Sequence, residues 1–208
     1  MLCSAAAHGQ TTERVTGELD TPVYQDVSGT PFFISAWADG VIRFSSGRAT
    51  NQFRIRFDCV QNKVMLQFNG SSFATESKIR EFVIYPDGFS GKDSMLFRKG
   101  FPVNGNANEE TFYQVLLAAS NSLLCLPVKK ITEERQIASK TVYRRMHDDY
   151  EYYLLKAGKL YKLSLLRQEI PPLFPDHQEE IRKYIEEHQL RFKDAHDLVT
   201  LVTYYNSL

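Results

Sequence analysis

The residues best suited to chemistry are three adjacent side chains, His147, Asp148 and Asp149. An imidazole beside two carboxylates can serve a metal ion or general acid–base catalysis. Adjacent residues of a strand or turn point in different directions, however, and Asp pairs commonly form turns. We therefore interpret the triplet as a turn between two strands, and it remains the candidate catalytic site of an alternative, enzymatic hypothesis.

The other histidines give weaker indications of a site. His177 and Glu180 are spaced i, i+3, but a metal ion needs three or more protein ligands. His188 and His196 are expected at the end of one helix and the start of the next, and the helix dipole favours His188 there. Zinc spacings, phosphate-binding loops and nucleophile elbows are absent from the sequence, so we predict no metal and no cofactor.

Three cysteines, Cys3, Cys59 and Cys125, are present. Cys3 would leave with a signal peptide. Cys59 continues the alternation of an apolar strand and Cys125 lies in the run LLCLPV, so both are expected to be buried. Two unpaired core thiols are favoured, and a disulfide between them is the alternative.

The charge balance argues against a nucleic-acid partner. Lys and Arg number 25 and so do Asp and Glu, so the chain lacks the basic field that drives phosphate binding. Tyrosines that alternate with Lys in YEYYLLKAGKLYKL are therefore interpreted as strand packing instead of a stacking platform. No apolar run reaches the length of a membrane-spanning helix.

The chain of 208 residues suits a single domain after a short leader. Residues 1–10, MLCSAAAHGQ, resemble the end of a signal peptide cleaved near Gln10, and an ordinary terminus of small residues is the alternative. Residues 11–30 are predicted to be a leader or linker. Residues 31–208 are predicted to form one domain, β-rich over 31–166 and helical over 167–208.

Short runs with period two predict an antiparallel meander. Asn69-Gly70 is the strongest hairpin signal, and Pro127 restricts its run to a sheet edge or a bulge. The predicted strands are 41–45, 52–60, 63–68, 72–77, 78–85, 111–119, 123–131, 140–146, 151–155 and 159–166.

The period changes to that of amphipathic helices after Pro171-Pro172. Asp176 is predicted to cap a helix over 177–189, and Asp194 to cap one over 195–208. Their apolar stripes are Ile181, Tyr184 and Ile185, then Leu198, Leu201, Val202 and Tyr205. The predicted fold is therefore α+β: a mainly antiparallel β meander, as a sheet or partly open barrel, closed by a C-terminal helical hairpin.

The C-terminal half resembles uncharacterised exported proteins of Bacteroidota. The matching residues are FYQVL (112–116), Tyr152-Tyr153, Lys156, Gly158-Lys159-Leu160, Lys162-Leu163, Phe174-Pro175-Asp176, Asp197-Leu198-Val199, Leu201-Val202 and Tyr204 to Leu208. The resemblance implies export and a fold of β-sheet plus helices, and it implies no activity.

These observations favour a non-catalytic binding or envelope-associated module located outside the cytoplasm, in the periplasm or at the cell surface. An envelope protein or a glycan is the expected class of partner. The alternatives are an enzyme of unrecognised class and a structural partner that pairs through a sheet edge.

Overall fold

The computed structural model describes residues 27–74, 78–136 and 141–208. The predicted signal-peptide remnant and residues 11–26 of the predicted leader lie outside the described residues. The first nine strands are β1 (Val27–Ser28), β2 (Ala38–Phe44), β3 (Ala49–Thr50), β4 (Arg54–Asp58), β5 (Lys63–Phe68), β6 (Ser71–Ala74), β7 (Ile79–Tyr85), β8 (Met95–Arg98) and β9 (Tyr113–Leu117). Then follow β10 (Ser122–Gln136), β11 (Thr141–Lys156), β12 (Lys159–Leu163), two short 3-10 helices (Arg167–Glu169 and Pro171–Leu173), α1 (Gln178–Glu187) and α2 (Ala195–Tyr205).

One sheet joins all the described strands. Its order is β1-β11-β10-β9-β8-β7-β2-β4-β5-β6, with β12 also paired to β11 and β3 to β2. The pairing of β1 with β11 is parallel, and the other pairings along this order are antiparallel. The two ends of the order do not pair, so the sheet is open. A mainly antiparallel sheet followed by C-terminal helices confirms the predicted α+β class.

The half of the sheet from β2 to β8 curls around a phenylalanine core. Strands β4 and β8 are separated by two other strands, which in a flat sheet would place them about 14 Å apart. The rings of Phe57 on β4 and Phe97 on β8 nevertheless lie 5.2 Å apart, and Phe82 stacks on Phe97 at 4.9 Å. All three side chains are buried, so the alternation along β4, β7 and β8 directs one face into an apolar interior.

The predicted turn at Asn69-Gly70 is confirmed. Strand β5 ends at Phe68 and β6 begins at Ser71, with φ angles of 48° and 82° at the two turn residues. Positive φ at both positions is the geometry that a two-residue hairpin loop requires, and Asn-Gly is the pair that best tolerates it.

The predicted turn at residues 147–149 is wrong. These residues lie inside the single strand β11, which pairs with β10 without interruption from Ser122↔Leu155 to Gln136↔Thr141. The two runs predicted as separate strands, 140–146 and 151–155, are therefore parts of one strand. The physical reason is that Lys129 of β10 lies opposite Asp148 and Lys130 pairs diagonally with Asp149, so the polar triplet is stabilised within the ladder and does not interrupt it.

Both predicted helical stripes pack onto one face of the β10–β11 sheet. Ile181 and Ile185 of α1 are buried and Tyr184 packs against the same core, as do Leu198, Leu201, Val202 and Tyr205 of α2. The sheet contributes Leu123, Cys125, Tyr152 and Leu154 to this core. The helical hairpin thus covers the sheet face, as the periodicity predicted.

One of the two predicted helix caps is correct. Asp194 precedes α2 and its carboxylate accepts a hydrogen bond from the backbone N–H of His196 at 2.9 Å. Asp176 does not cap α1, whose N-cap residue is His177 without a side-chain cap. The Asp176 carboxylate instead accepts hydrogen bonds from Lys156 Nζ at 3.0 Å and from the Tyr205 hydroxyl at 2.9 Å. It therefore fastens α2 to the sheet.

Candidate functional site

The structure places the candidate residues His147, Asp148 and Asp149 on two different faces of β11. Successive side chains of a strand point to opposite sides, so Asp148 lies on one face while His147 and Asp149 lie on the other. His147 is exposed, and its Nε2 lies 2.9 Å from the hydroxyl of Thr132 on β10. The three side chains therefore do not converge on a common point.

Each of the two carboxylates is neutralised by a lysine of β10. Asp148 pairs with Lys129, whose side chain is only 4% exposed, and Asp149 pairs with Lys130. The hydrogen bond from Lys130 lowers the pKa of Asp149, although partial burial opposes that shift. Within residues 27–74, 78–136 and 141–208, no three His, Cys, Asp or Glu side chains are grouped to hold a metal ion. The triplet is thus a set of cross-strand pairs.

His147→Ala is expected to change the free energy of unfolding by less than about 1 kcal/mol, because the exposed imidazole makes one hydrogen bond, to Thr132. If the protein proves to have an enzymatic activity, the turnover rate of the variant should stay within a few-fold of the wild-type rate. Removal of a general acid or base would instead lower the rate by ~10²–10⁴-fold. Chemical denaturation and rate measurements on the purified variant check both expectations. A hundredfold loss of turnover with an unchanged circular dichroism spectrum would instead establish a catalytic His147.

The two cysteines of the described chain are unpaired core thiols. Cys125 is buried and Cys59 is partly buried, and they form no disulfide. Burial raises the pKa of both Cys59 and Cys125 to about 12, so both thiols stay protonated at neutral pH. A protonated thiol is a poor nucleophile and a poor metal ligand. The favoured interpretation, two free core thiols, is confirmed over the disulfide alternative.

The other histidines have structural surroundings. His177 Nδ1 lies 3.6 Å from the Glu180 carboxylate, a pair on the first turn of α1. His188 stacks on the Tyr184 ring at 3.9 Å, and the Tyr184 ring in turn stacks on Tyr204 of α2 at 3.9 Å. These contacts fix the two helices together, and His196 lies exposed in the first turn of α2.

A projecting arm is the feature that the sequence analysis missed. We define the arm as residues 126–136 of β10 and 141–151 of β11. The neighbour of β10 ends beside Cys125, and the neighbour of β11 on its other side, β12, reaches only Tyr152. Beyond these points the two strands continue as a ribbon that carries exposed Ile131, Val142, Tyr143 and Tyr150. The sequence signal for the arm was the alternation of apolar and polar residues, which continues on both sides of the turn wrongly predicted at residues 147–149.

The arm also explains Pro127. Because β9 stops beside Cys125, Pro127 lies where β10 has a strand neighbour on one side only. The predicted edge position is therefore confirmed. Proline has no N–H to donate, and an edge is where a sheet accommodates it.

Two further observations bear on the class of protein. In the part of the chain that the structure describes, neither α-helix exceeds 11 residues, and none has the length and apolarity needed to cross a membrane. Comparison of the chain with protein-family models, curated proteins and solved structures finds no match.

Proposed function

We propose that the protein is a non-catalytic, exported binding module whose arm docks an extended segment of an envelope protein. The observation that carries this proposal is the outer edge of β10 along the arm, which pairs with no strand among the described residues. Strand β9 reaches β10 only at Leu123, Leu124 and Cys125, while β10 continues to Gln136. An edge of this kind presents a row of backbone N–H and C=O groups, which another strand can pair with.

The opposite edge of the arm already holds an added strand. Val27 and Ser28 of β1 pair with Arg144 and Arg145 of β11, and the Ser28 hydroxyl donates a hydrogen bond to the Arg144 carbonyl at 3.0 Å. Gly29 then passes so close to Met146 that a Cβ there would lie 2.9 Å from the Met146 carbonyl oxygen. The arm is thus a surface that accepts a short extended segment, and the same backbone pairing is available on the β10 side at residues 130–133, which are exposed.

Side chains of the arm give this edge selectivity. Ile131 is 50% exposed on β10, and Tyr143 and Val142 are exposed on β11. Arg144 of β11 and Glu133 of β10 form a cross-strand ion pair, with 2.8 Å between Arg144 Nε and the Glu133 carboxylate. Charged residues on an edge oppose indiscriminate strand pairing, while the apolar side chains offer contact area to a matching partner.

Export rests on different support, the small-residue N-terminus and the resemblance to exported proteins. Outside the cytoplasm, a partner of the envelope is the class of protein that such an arm would meet. The proposal does not involve catalysis, because the carboxylates of the candidate triplet are paired with lysines and face apart.

Site-specific photo-crosslinking in the native host tests the proposal. Ile131 is replaced by p-benzoylphenylalanine, and Phe89, which is 49% exposed and follows β7, is replaced in the same way as the matched control. One envelope protein should be captured from position 131 and not from position 89. The adduct should map to an extended segment of that protein, and sequencing of the N-terminus of the captured module should begin near residue 10.

A synthetic peptide of the captured segment then gives a quantitative test. Ile131→Asp should weaken its binding by about tenfold or more, and Phe89→Asp should leave it within about twofold. Equal capture from both positions, capture of another copy of this chain alone, or equal binding by both variants would overturn the proposal. Recovery of the intact chain, beginning at Met1, from the cytoplasm alone would overturn the proposed export.

A further inference from the structure

We propose that the mouth of the curled half of the sheet binds a polyanionic ligand, one with at least two carboxylate, sulfate or phosphate groups. Two adjoining clefts meet there and share Lys99. The first, the lysine cleft, is small enough for one or two anionic groups. The second, the arginine cleft, lies on the other side of Lys99.

The lysine cleft has a volume of about 200 Å³ and brings together three cations from distant parts of the chain. Lys63 begins β5, Lys78 directly precedes β7, and Lys99 directly follows β8. Curling of the sheet closes these strand ends around Asn62 and Phe112. Among the described residues that line this cleft there is no carboxylate.

Lys99 is held where a ligand can reach it. Its side chain is only 15% exposed, and its ammonium lies 5.4 Å from the centroid of the Phe112 ring. Burial of an ammonium is costly unless an anion pairs with it, and Glu110 supplies that anion. The Glu110 side chain is 73% exposed on the rim. A carboxylate that is so exposed and pairs with Lys99 marks the position that an anionic group of a ligand can take.

The arginine cleft, of about 380 Å³, extends the positive surface. Arg98 Nε donates a hydrogen bond to Glu81 at 2.7 Å, which orients its guanidinium. Arg80 is exposed, and no ion pair joins it to another described residue. Arginines bind carboxylate, sulfate and phosphate through paired N–H groups, whereas lysines act as point charges.

The two clefts together present five cations against the rim carboxylates of Glu109 and Glu110 and against Glu81, which pairs with Arg98. The whole chain has a formal net charge of zero, so this concentration is local. A ligand with a single anion would use only part of it. Acidic oligosaccharides and polyphosphates share the required chemistry, and the site is independent of the arm because it uses none of the arm's residues.

Titration calorimetry with the full chain tests the inference and separates the two ligand sources. The probes are a galacturonate oligomer, tripolyphosphate and, as the uncharged control, a neutral glucose oligomer. At least one anionic probe should bind and the neutral one should not. Lys63→Ala/Lys78→Ala should weaken binding about tenfold or more, because two charge-assisted hydrogen bonds to the ligand are lost.

A second double variant with the same change of net charge serves as the control for Lys63→Ala/Lys78→Ala. Lys159→Ala/Lys193→Ala deletes two other exposed lysines, and it should leave the dissociation constant within about twofold. Glu110→Gln should strengthen binding, because it removes the competing carboxylate, whereas Glu169→Gln, an exposed control, should not. Absence of binding by both anionic probes, or equal losses in the two double variants, would overturn the inference.

Discussion

Leu201→Asp is expected to lower the free energy of unfolding by about 3–5 kcal/mol, a large part of the stability of a domain of this size. Leu201 is fully buried between α2 and the sheet, in the core that also contains Leu123 and Leu154. Aspartate at this position removes apolar contacts and places an unpaired carboxylate in an apolar interior. The shift of the urea midpoint at constant m-value measures the loss.

Thr203→Asp is the matched control on the same helix. Thr203 is exposed, and its hydroxyl donates a hydrogen bond to the Val199 carbonyl at 2.7 Å. Its replacement should cost less than about 1 kcal/mol. Equal midpoints for the two aspartate variants would show that the helical hairpin does not close the core.

Gly40→Ala is expected to cost about 3 kcal/mol or more, because no space exists for a methyl group inside β2. A Cβ at this buried position would lie 2.2 Å from Ile55 Cδ1 and 2.6 Å from the Val83 carbonyl oxygen. The Ile55 side chain belongs to the phenylalanine core, and the carbonyl belongs to the strand that pairs with β2. Thermal and urea denaturation should both show the loss.

A second-site change separates the two clashes. Ile55→Val removes the nearer carbon, so Gly40→Ala/Ile55→Val should regain part of the stability that Gly40→Ala loses. Recovery should stay incomplete, because the Val83 carbonyl cannot withdraw without disturbing the β2–β7 ladder. Gly47→Ala serves as the control: its Cβ meets nothing within 4 Å, and its φ of 88° limits the cost to about 1–2 kcal/mol. Equal losses for Gly40→Ala and Gly47→Ala would contradict the steric explanation.

Local signals predicted the parts of the fold that local physics decides. The stripe from Leu198 to Tyr205, the Asp194 cap and the Asn69-Gly70 turn each depend on residues within a few positions of one another, and all three are confirmed. The Asp176 cap failed because distant groups, Lys156 and Tyr205, bind that carboxylate instead. A short-range pattern cannot register such competition.

The arm and the candidate triplet were misread for a related reason. His147, Asp148 and Asp149 have the composition of a turn, and only the register with β10 places lysines beside the two carboxylates. Strand β8, with four residues, was too short for its alternation to indicate a strand. The predicted fold class is nevertheless correct, because it depends on the number of strands and on the position of the helices after them. It does not depend on the position of each turn.

The two clefts could not be predicted from the sequence. Lys63, Lys78 and Lys99 are far apart in the chain, and in the sequence each alone is an ordinary lysine at a strand end. They meet only because the sheet curls and brings the ends of β5, β7 and β8 to one mouth. Lysines that recur at strand ends, on a chain without net charge, are the signal to look for in other sequences.

The parallel pair between β1 and β11 has a consequence for the order of folding. Ser28 and its hydrogen-bonded partner Arg144 are 116 positions apart in the chain. The β10–β11 hairpin and the two helices form from neighbouring residues, so they need little loop closure, whereas β1 must wait until β11 exists. On a ribosome, the first described strand is therefore synthesised long before its partner and should be the last to acquire its native neighbour.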